Sequence, residues 1–224
     1  MKNEKGVMRS NKMKVLILGT AGQISQMVRK NLLVETNHEL VLYARNANQR
    51  LSLISPDRET ITSGDFQDYV TLLEAMKDVD IVYLNDMNHP EDTEVIVQAM
   101  KEADVKYIIG ANILRIYDEV VGAFGKWNAR MVGQTSTKRH RDAADILENS
   151  GINYVNLRLT WLYNETANEK YQISDKGEPF IGAQVSRQAV ARLISTIIDN
   201  PDEYANRNLG VSEPNTNFSK PSFY

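Results

Sequence analysis

The sequence predicts a doubly wound α/β fold, a parallel sheet with helices on both faces. Three observations predict it. Strand-like and helix-like segments alternate six times along the chain. The first strand-like run is continuously apolar, as in strands covered on both faces. That run leads straight into a glycine turn and an amphipathic helix.

Lys14 to Leu18 is the opening strand, followed by Gly19-Thr20-Ala21-Gly22. The next segment places Ile24, Met27, Val28 and Leu32 on one helical face. Leu40 to Ala44 reads as a second strand and Thr60 to Thr62 as a weaker third. Phe66 to Met76 is helical, with Tyr69, Leu72, Leu73 and Met76 in register. Asp80 to Leu84 is a fourth strand, and Glu91 to Ala103 a helix entered through Pro90. Lys106 to Gly110 is a fifth strand, Arg139 to Asn149 a helix stopped by Ser150-Gly151, and Asn153 to Leu159 a sixth strand. Ser186 caps a last helix through Ile198, and Pro201 follows. The tail, Asn206 to Tyr224, is rich in Asn, Ser and Pro and is expected to wrap the surface.

Two stretches break the rhythm, 113–138 and 160–184. Loops of that length are usually functional or carry small extra elements. Both follow late strands, so both are expected on the substrate side, at the carboxyl edge where such sheets bind ligands. Residues 1–12 are polar and without period, and are expected to form a disordered leader; 13–224 are expected to form one domain.

Composition excludes several functions. The chain has 224 residues, 26 Lys+Arg against 29 Asp+Glu and no Cys. The missing cysteine removes thiolate nucleophiles, disulfides and Cys-ligated metals. His38, His89 and His140 share no metal-ligand spacing, so no metal site is expected. The net charge of −3 gives no reason to expect nucleic-acid binding. No apolar run approaches the roughly 20 residues that cross a bilayer. The run Val15 to Leu18 is too short for a signal-peptide core, so a cytoplasmic location is expected. A homo-oligomer is neither required nor excluded.

The residues that carry chemistry begin with GTAGQIS, 19–25. Strand, glycine turn and helix N-terminus form a geometry that binds a pyrophosphate through free backbone N–H groups. Gly19, Thr20, Ala21, Gly22, Gln23 and Ile24 are therefore candidate nucleotide-binding residues. The spacing is G-x-x-G, with Ser25 where a third glycine often stands. Sites specific for NAD usually carry an acid at the end of the second strand. This chain has Arg45-Asn46 there, and a guanidinium suits a 2′-phosphate. NADP(H) is preferred on that ground, with NAD(H) as the alternative; an exposed surface charge is the other reading of Arg45. Asp65 and Phe66 follow the third strand, where Asp65 either accepts from an adenine amino group or caps a turn. Asn85 and Asp86 follow the fourth strand, and Gly110 and Ala111 end the fifth, at the edge where the nicotinamide side is expected.

The chain resembles the atypical short-chain dehydrogenase/reductase superfamily, and within it the small NmrA-like NAD(P)H-binding proteins. The likeness is carried by GTAGQIS (19–25), LYARN (42–46), SGDF (63–66), IYDEV (116–120), FGKWN (124–128), SGINYVNLR (150–158) and KGEPF with VSRQAVA (176–191). It implies a Rossmann-like fold that binds NAD(P)H. The wider superfamily transfers hydride with a Ser or Thr and a Tyr-x-x-x-Lys pair. By register against that helix, Thr137 stands at the tyrosine position and Arg141 at the lysine position. Arg effectively never deprotonates. Asn112 and Ile113 replace a common serine pair, and Leu159 stands where relatives often have Pro.

Asn112, Tyr117 and Arg141 are the candidate catalytic residues. Asn112 can donate a hydrogen bond to a carbonyl. Tyr117 is either a pocket residue or an ordinary half-buried loop tyrosine. His89 is the histidine placed to meet substrate; His38 is expected to be solvated and His140 to face outward. Trp127 and Trp161 either wall the pocket or pack the two long loops. The run Lys138 to Arg141 reads as a solvated helix face or as an aid to the cofactor. The expected function is NADPH-dependent reduction of a small acceptor such as a quinone, flavin or conjugated carbonyl. The alternative is a non-catalytic NADP(H) sensor, which the missing Tyr-x-x-x-Lys pair fits equally well.

Overall fold

The computed structural model describes residues 12–224. The leader expected over residues 1–12 lies outside them except for Lys12, which ion-pairs with Glu39. In chain order the elements are β1 (Lys14–Leu18), α1 (Gln23–Glu35), β2 (Glu39–Ala44), α2 (Ala47–Arg50), β3 (Glu59–Ser63) and α3 (Tyr69–Ala75). Then follow β4 (Ile81–Leu84), α4 (Pro90–Glu102), β5 (Tyr107–Ile113), α5 (Gly122–Met131) and α6 (Gln134–Glu148). The chain ends with β6 (Asn153–Leu159), β7 (Trp161–Tyr163), β8 (Gln172–Asp175), β9 (Gln184–Ser186), α7 (Arg187–Asp199), α8 (Pro201–Tyr204) and β10 (Arg207–Ser212).

Eight strands form one sheet in the order β3-β2-β1-β4-β5-β6-β10-β8. Pairing is parallel throughout except for β8, which runs antiparallel to β10. The chain reverses its direction of travel across the sheet after β3, between β1 and β4. That switch point opens a crevice beyond the carboxyl ends of the strands. β7 and β9 pair in parallel as a small separate sheet on the same late segment.

The core lies in two layers. One face packs α1 and α7 through Ile24, Val28, Leu32, Leu193, Ile194 and Ile197. The other packs α3, α4 and α6 through Leu72, Ile96, Met100, Ala143 and Leu147. A fully buried Leu or Ile of this kind contributes roughly 1.5–3 kcal/mol. The sequence-predicted caps hold: Ser186 Oγ accepts from Ala189 N at 3.0 Å, and Pro90 opens α4.

Three expectations are corrected. The tail is not only a surface wrap, because β10 lies inside the sheet with Leu209 and Val211 fully buried. Stretch 113–138 is largely helical, and α6 begins at Gln134 rather than Arg139. Its first turns carry almost no apolar residues, which hid them from a periodicity reading. His38 is not solvated. It is buried, accepts from Met13 N at 3.1 Å and lies 3.0 Å from Asp199 Oδ1. No helix among the described residues is long and apolar enough to cross a membrane.

Candidate functional site

Two clefts open at the switch point. The first surrounds the β1–α1 turn. Gly19 has φ +84°, a left-handed conformation that a glycine adopts without strain. Gly19 N and Thr20 N both donate to Tyr43 O, at 2.9 and 3.1 Å, which ties the turn to β2. A Cβ on Gly22 would stand 2.5 Å from Asn85 Nδ2. The turn therefore sits against β4 with no room for a side chain. No side chain caps the N-terminus of α1. Its first backbone donors stay available to an anion, and the helix dipole favours negative charge there.

This glycine-loop cleft has a volume of about 290 Å³. The sequence candidates Gly19, Ala21, Gly22, Arg45, Asp65, Phe66 and Asp86 line it. Gly64 is cut away for Tyr43, whose hydroxyl would lie 2.1 Å from a Cβ there and donates to Asp65 O at 2.8 Å. The Phe66 ring stacks on Tyr43 at 6.1 Å. Asp65 Oδ1 accepts from Gln67 N at 3.0 Å, so it caps its turn while still lining the cleft. Arg50, which the sequence reading missed, joins Arg45; its Nη1 donates to Arg45 O at 3.3 Å. Neither arginine is in an ion pair among the described residues.

The second, inner cleft has a volume of about 280 Å³ and shares Asp86 with the first. Of the sequence candidates, Gln23, Ile24, Asn85, Asp86, Ala111 and Asn112 reach it. Ile113, Leu159 and Leu162 supply apolar wall, and His140, Thr160 and Arg187 supply polar groups. Asn112 is buried, donates through Nδ2 to His140 O at 3.0 Å and accepts from Ile113 N at 2.7 Å. Arg187 Nη1 donates to Asn164 Oδ1 at 3.2 Å, and burial holds its pKa below the ordinary arginine value.

Other sequence candidates lie elsewhere. Thr20 is buried and donates to Ile17 O at 2.6 Å, so its hydroxyl holds the turn. Asn46 is exposed at φ 52°, at the start of α2. Gly110 packs under Met87, whose sulfur would lie 2.3 Å from a Cβ. None of the three lines either cleft. Tyr117 and Arg141 belong to a separate polar cluster. Tyr117 O–H donates to Glu148 at 2.7 Å and accepts from Asn208 at 2.8 Å, with the Arg141 guanidinium 4.4 Å from its ring centre. Burial and the Glu148 carboxylate both push the Tyr117 phenol up, so it stays protonated. Arg141 donates to Ile116 O at 2.8 Å.

The histidines are reassigned. His89 is half-exposed beside Glu91 and lines the glycine-loop cleft, not the inner one. His140 does not face outward: it is 6% exposed and lines the inner cleft. The helical register carried the signal, because Ala143, Ala144 and Leu147 are buried on the same helix. Trp127 and Trp161 pack the late segments rather than wall a cleft. Their rings lie 4.9 Å apart, each beside Tyr224, and Trp161 Nε1 donates to Asn128 at 2.8 Å.

A glycine turn feeding an uncapped helix at the switch point fits a dinucleotide, and similarity to known proteins agrees. A family model for NAD(P)H-binding proteins matches residues 19–201. The chain belongs to this NAD(P)H-binding family, of the atypical short-chain dehydrogenase/reductase kind. It is 32% identical to a short-chain dehydrogenase/reductase from Veillonella parvula DSM 2008 solved in complex with NADP, with a TM-score of 0.91 over 95% of this chain and 100% of that one. It is 33% identical to a Rossmann-fold NAD(P)-binding family protein from Shigella flexneri, with a TM-score of 0.78 over 96% and 100%. An anaerobilin reductase from Escherichia coli O157:H7 shares the fold at 17% identity, with a TM-score of 0.71 over 93% and 100%. No curated protein matches the sequence.

Proposed function

We propose that the chain is an NADPH-dependent reductase of a small planar acceptor such as a quinone, flavin or conjugated carbonyl. The observation that carries this reading is the inner cleft, half apolar and half polar, adjoining the glycine-loop cleft through Asp86. The backbone of Gly19, Ala21 and Gly22 and the N-terminus of α1 would hold the pyrophosphate. Arg45 and Arg50 would hold a 2′-phosphate, which favours NADP(H) over NAD(H). Asp65 and Phe66 would meet the adenine side. Asn85 and Asp86 stand where the two clefts join.

When bound, NADPH supplies the hydride. The chain's own part is to place a flat acceptor against the apolar wall of Ile24, Ile113, Leu159 and Leu162. Positioning of this kind accounts for much of such a reaction. No Tyr-x-x-x-Lys pair is required for an acceptor whose reduced oxygen is easily protonated by water. The solved relative's bound NADP supports the choice of cofactor.

Loss of NADPH absorbance with a panel of quinones, flavins and conjugated aldehydes tests the reading. Turnover of at least one class is expected. NADPH binding without turnover of any class overturns it in favour of an NADP(H) sensor.

A further inference from the structure

Five buried polar side-chain atoms among the described residues have no hydrogen-bond partner: Ser25 Oγ, Asn128 Nδ2, His140 Nδ1 and both amide atoms of Asn156. Of these four residues, His140 alone lines a cleft. An unpaired buried polar atom costs roughly 1–3 kcal/mol, so its presence at a site asks for a reason. His140 is also held firmly. It sits on α6, and its main-chain oxygen accepts from Asn112 on β5 at 3.0 Å.

The proton on the ring can be placed by accounting. A proton on Nδ1 would be stranded, because that atom is buried with no acceptor. The cation needs protons on both nitrogens and pays the same penalty. The neutral ring with its proton on Nε2 strands no N–H, leaving Nδ1 as an unpaired acceptor lone pair, and Nε2 is the nitrogen left to meet the cleft. The surrounding charges agree. Burial is the largest influence and pulls the pKa of His140 below the ordinary histidine value; Asp86 opposes this, while Arg139 and His89 reinforce it. Arg187 lines the same cleft from α7 and adds positive charge there.

We propose that His140 is a catalytic residue, donating Nε2–H to the acceptor's carbonyl or quinone oxygen, and that Asn112 is its positioning residue. The proposal rests on the reductase reading above. The acceptor gains a hydride and one proton overall. Negative charge develops on its oxygen as the hydride arrives, and a fixed neutral donor is most valuable there. His140 keeps its own proton, and the proton that completes the reduced product comes from water. A donor of this kind accounts for about 100-fold in kcat.

The test uses the full-length protein, 15N-labelled at histidine, with NADP+ added and menadione as probe. The chain has three histidines, so the spectrum of His140→Gln assigns the signal, and no Cys is present to be alkylated by the quinone. At pH 7 the His140 ring is expected to carry its proton on Nε2 alone, and its signal is expected to move when menadione is added. His140→Ala is expected to lose about 100-fold in kcat with unchanged NADPH affinity, and His140→Gln, which keeps an N–H donor, to lose less. Asn112→Ala is expected to shift the His140 signal and lower kcat without altering NADPH affinity. A cationic or Nδ1-protonated ring, a signal indifferent to menadione, or wild-type kcat in His140→Ala overturns the proposal. Failure of NADP+ to bind, or absence of turnover of every acceptor class by the wild-type protein, overturns the underlying reductase reading instead, so the two failures are told apart.

Discussion

Glu119→Gln removes one charge from a buried pair and leaves the other in place. Arg158 on β6 is fully buried, and its Nη1 lies 2.7 Å from Glu119 Oε1; the two side chains are 0% and 3% exposed. Glu119 also accepts from Arg115 N and Tyr117 N, each at 3.0 Å, so it folds the segment after β5 onto the sheet. The amide is the same size but neutral. It leaves the guanidinium without a counter-ion in a dry setting and turns an N–H₂ group toward donors. Breaking a buried pair from one side costs about 3–5 kcal/mol. In a domain of this length each kcal/mol moves Tm by about 2–4 °C, so a fall of roughly 6–20 °C is expected. Urea denaturation followed by circular dichroism gives the free energy, and a thermal melt gives the shift. Glu119 lines neither cleft, so the rise in Tm on adding NADPH should survive. Asp104→Asn, which breaks a pair in which Asp104 is 81% and Lys106 71% exposed, should change nothing measurable. A loss below about 1 kcal/mol for Glu119→Gln would refute the reasoning, because the pair would then be solvated.

Arg45→Gln should weaken NADPH binding about 10- to 100-fold, the worth of one charge-assisted hydrogen bond, and leave NADH unchanged; nucleotide fluorescence titration measures both. Gly22→Val should lower the melting temperature of the free protein, since even a Cβ would stand 2.5 Å from Asn85 Nδ2, and should abolish the further rise on adding NADPH. Burial alone would raise the Glu59 carboxyl, but hydrogen bonds from Arg29 and from the backbone of Ser55 and Ile54 outweigh it and hold the pKa below the ordinary value. Its stabilising contribution is therefore complete above about pH 4.3 and is lost as pH falls through the lower folded value. Glu59→Gln should be less stable at pH 7, and urea midpoints measured down to pH 3 should show the gap to wild type narrowing; a gap that widens contradicts the assignment. Arg187→Ala should raise KM for a carboxylated quinone more than for menadione, because that guanidinium has no acidic partner in the inner cleft among the described residues.

The glycine turn, the apolar opening strand and the alternation of strand and helix were legible because each depends on local sequence. Strand β10 was not. Arg207–Ser212 is short and polar-flanked, and its place in the sheet comes from partners far away: Asn208 binds Arg158 at 2.7 Å and Glu148 at 2.6 Å. Those tertiary bonds satisfy polar groups that a local reading assigns to the surface. His38 misled for the same reason, because Asp199, its distant partner, is 161 residues away. At the candidate site, the phosphate turn and Arg45 followed from motif and register. His140 was hidden in a basic run that reads as solvated. The three helical residues buried on its face, Ala143, Ala144 and Leu147, already lie in the helix expected from Arg139; the flanking Arg139 and Arg141 charges masked that register.

The most direct test of the nucleotide site is a thermal melt with NADPH, NADP+, NADH and NAD+, all at one concentration, about 100 times the dissociation constant of NADPH. Binding at that excess adds roughly 2.7 kcal/mol, which is about 5–11 °C for a domain of this length. The account predicts a clear rise with NADPH and NADP+ that exceeds the rise with NADH and NAD+ at equal concentration. No rise with any of the four would contradict the nucleotide site, and a larger rise with NADH than with NADPH would contradict the role given to Arg45.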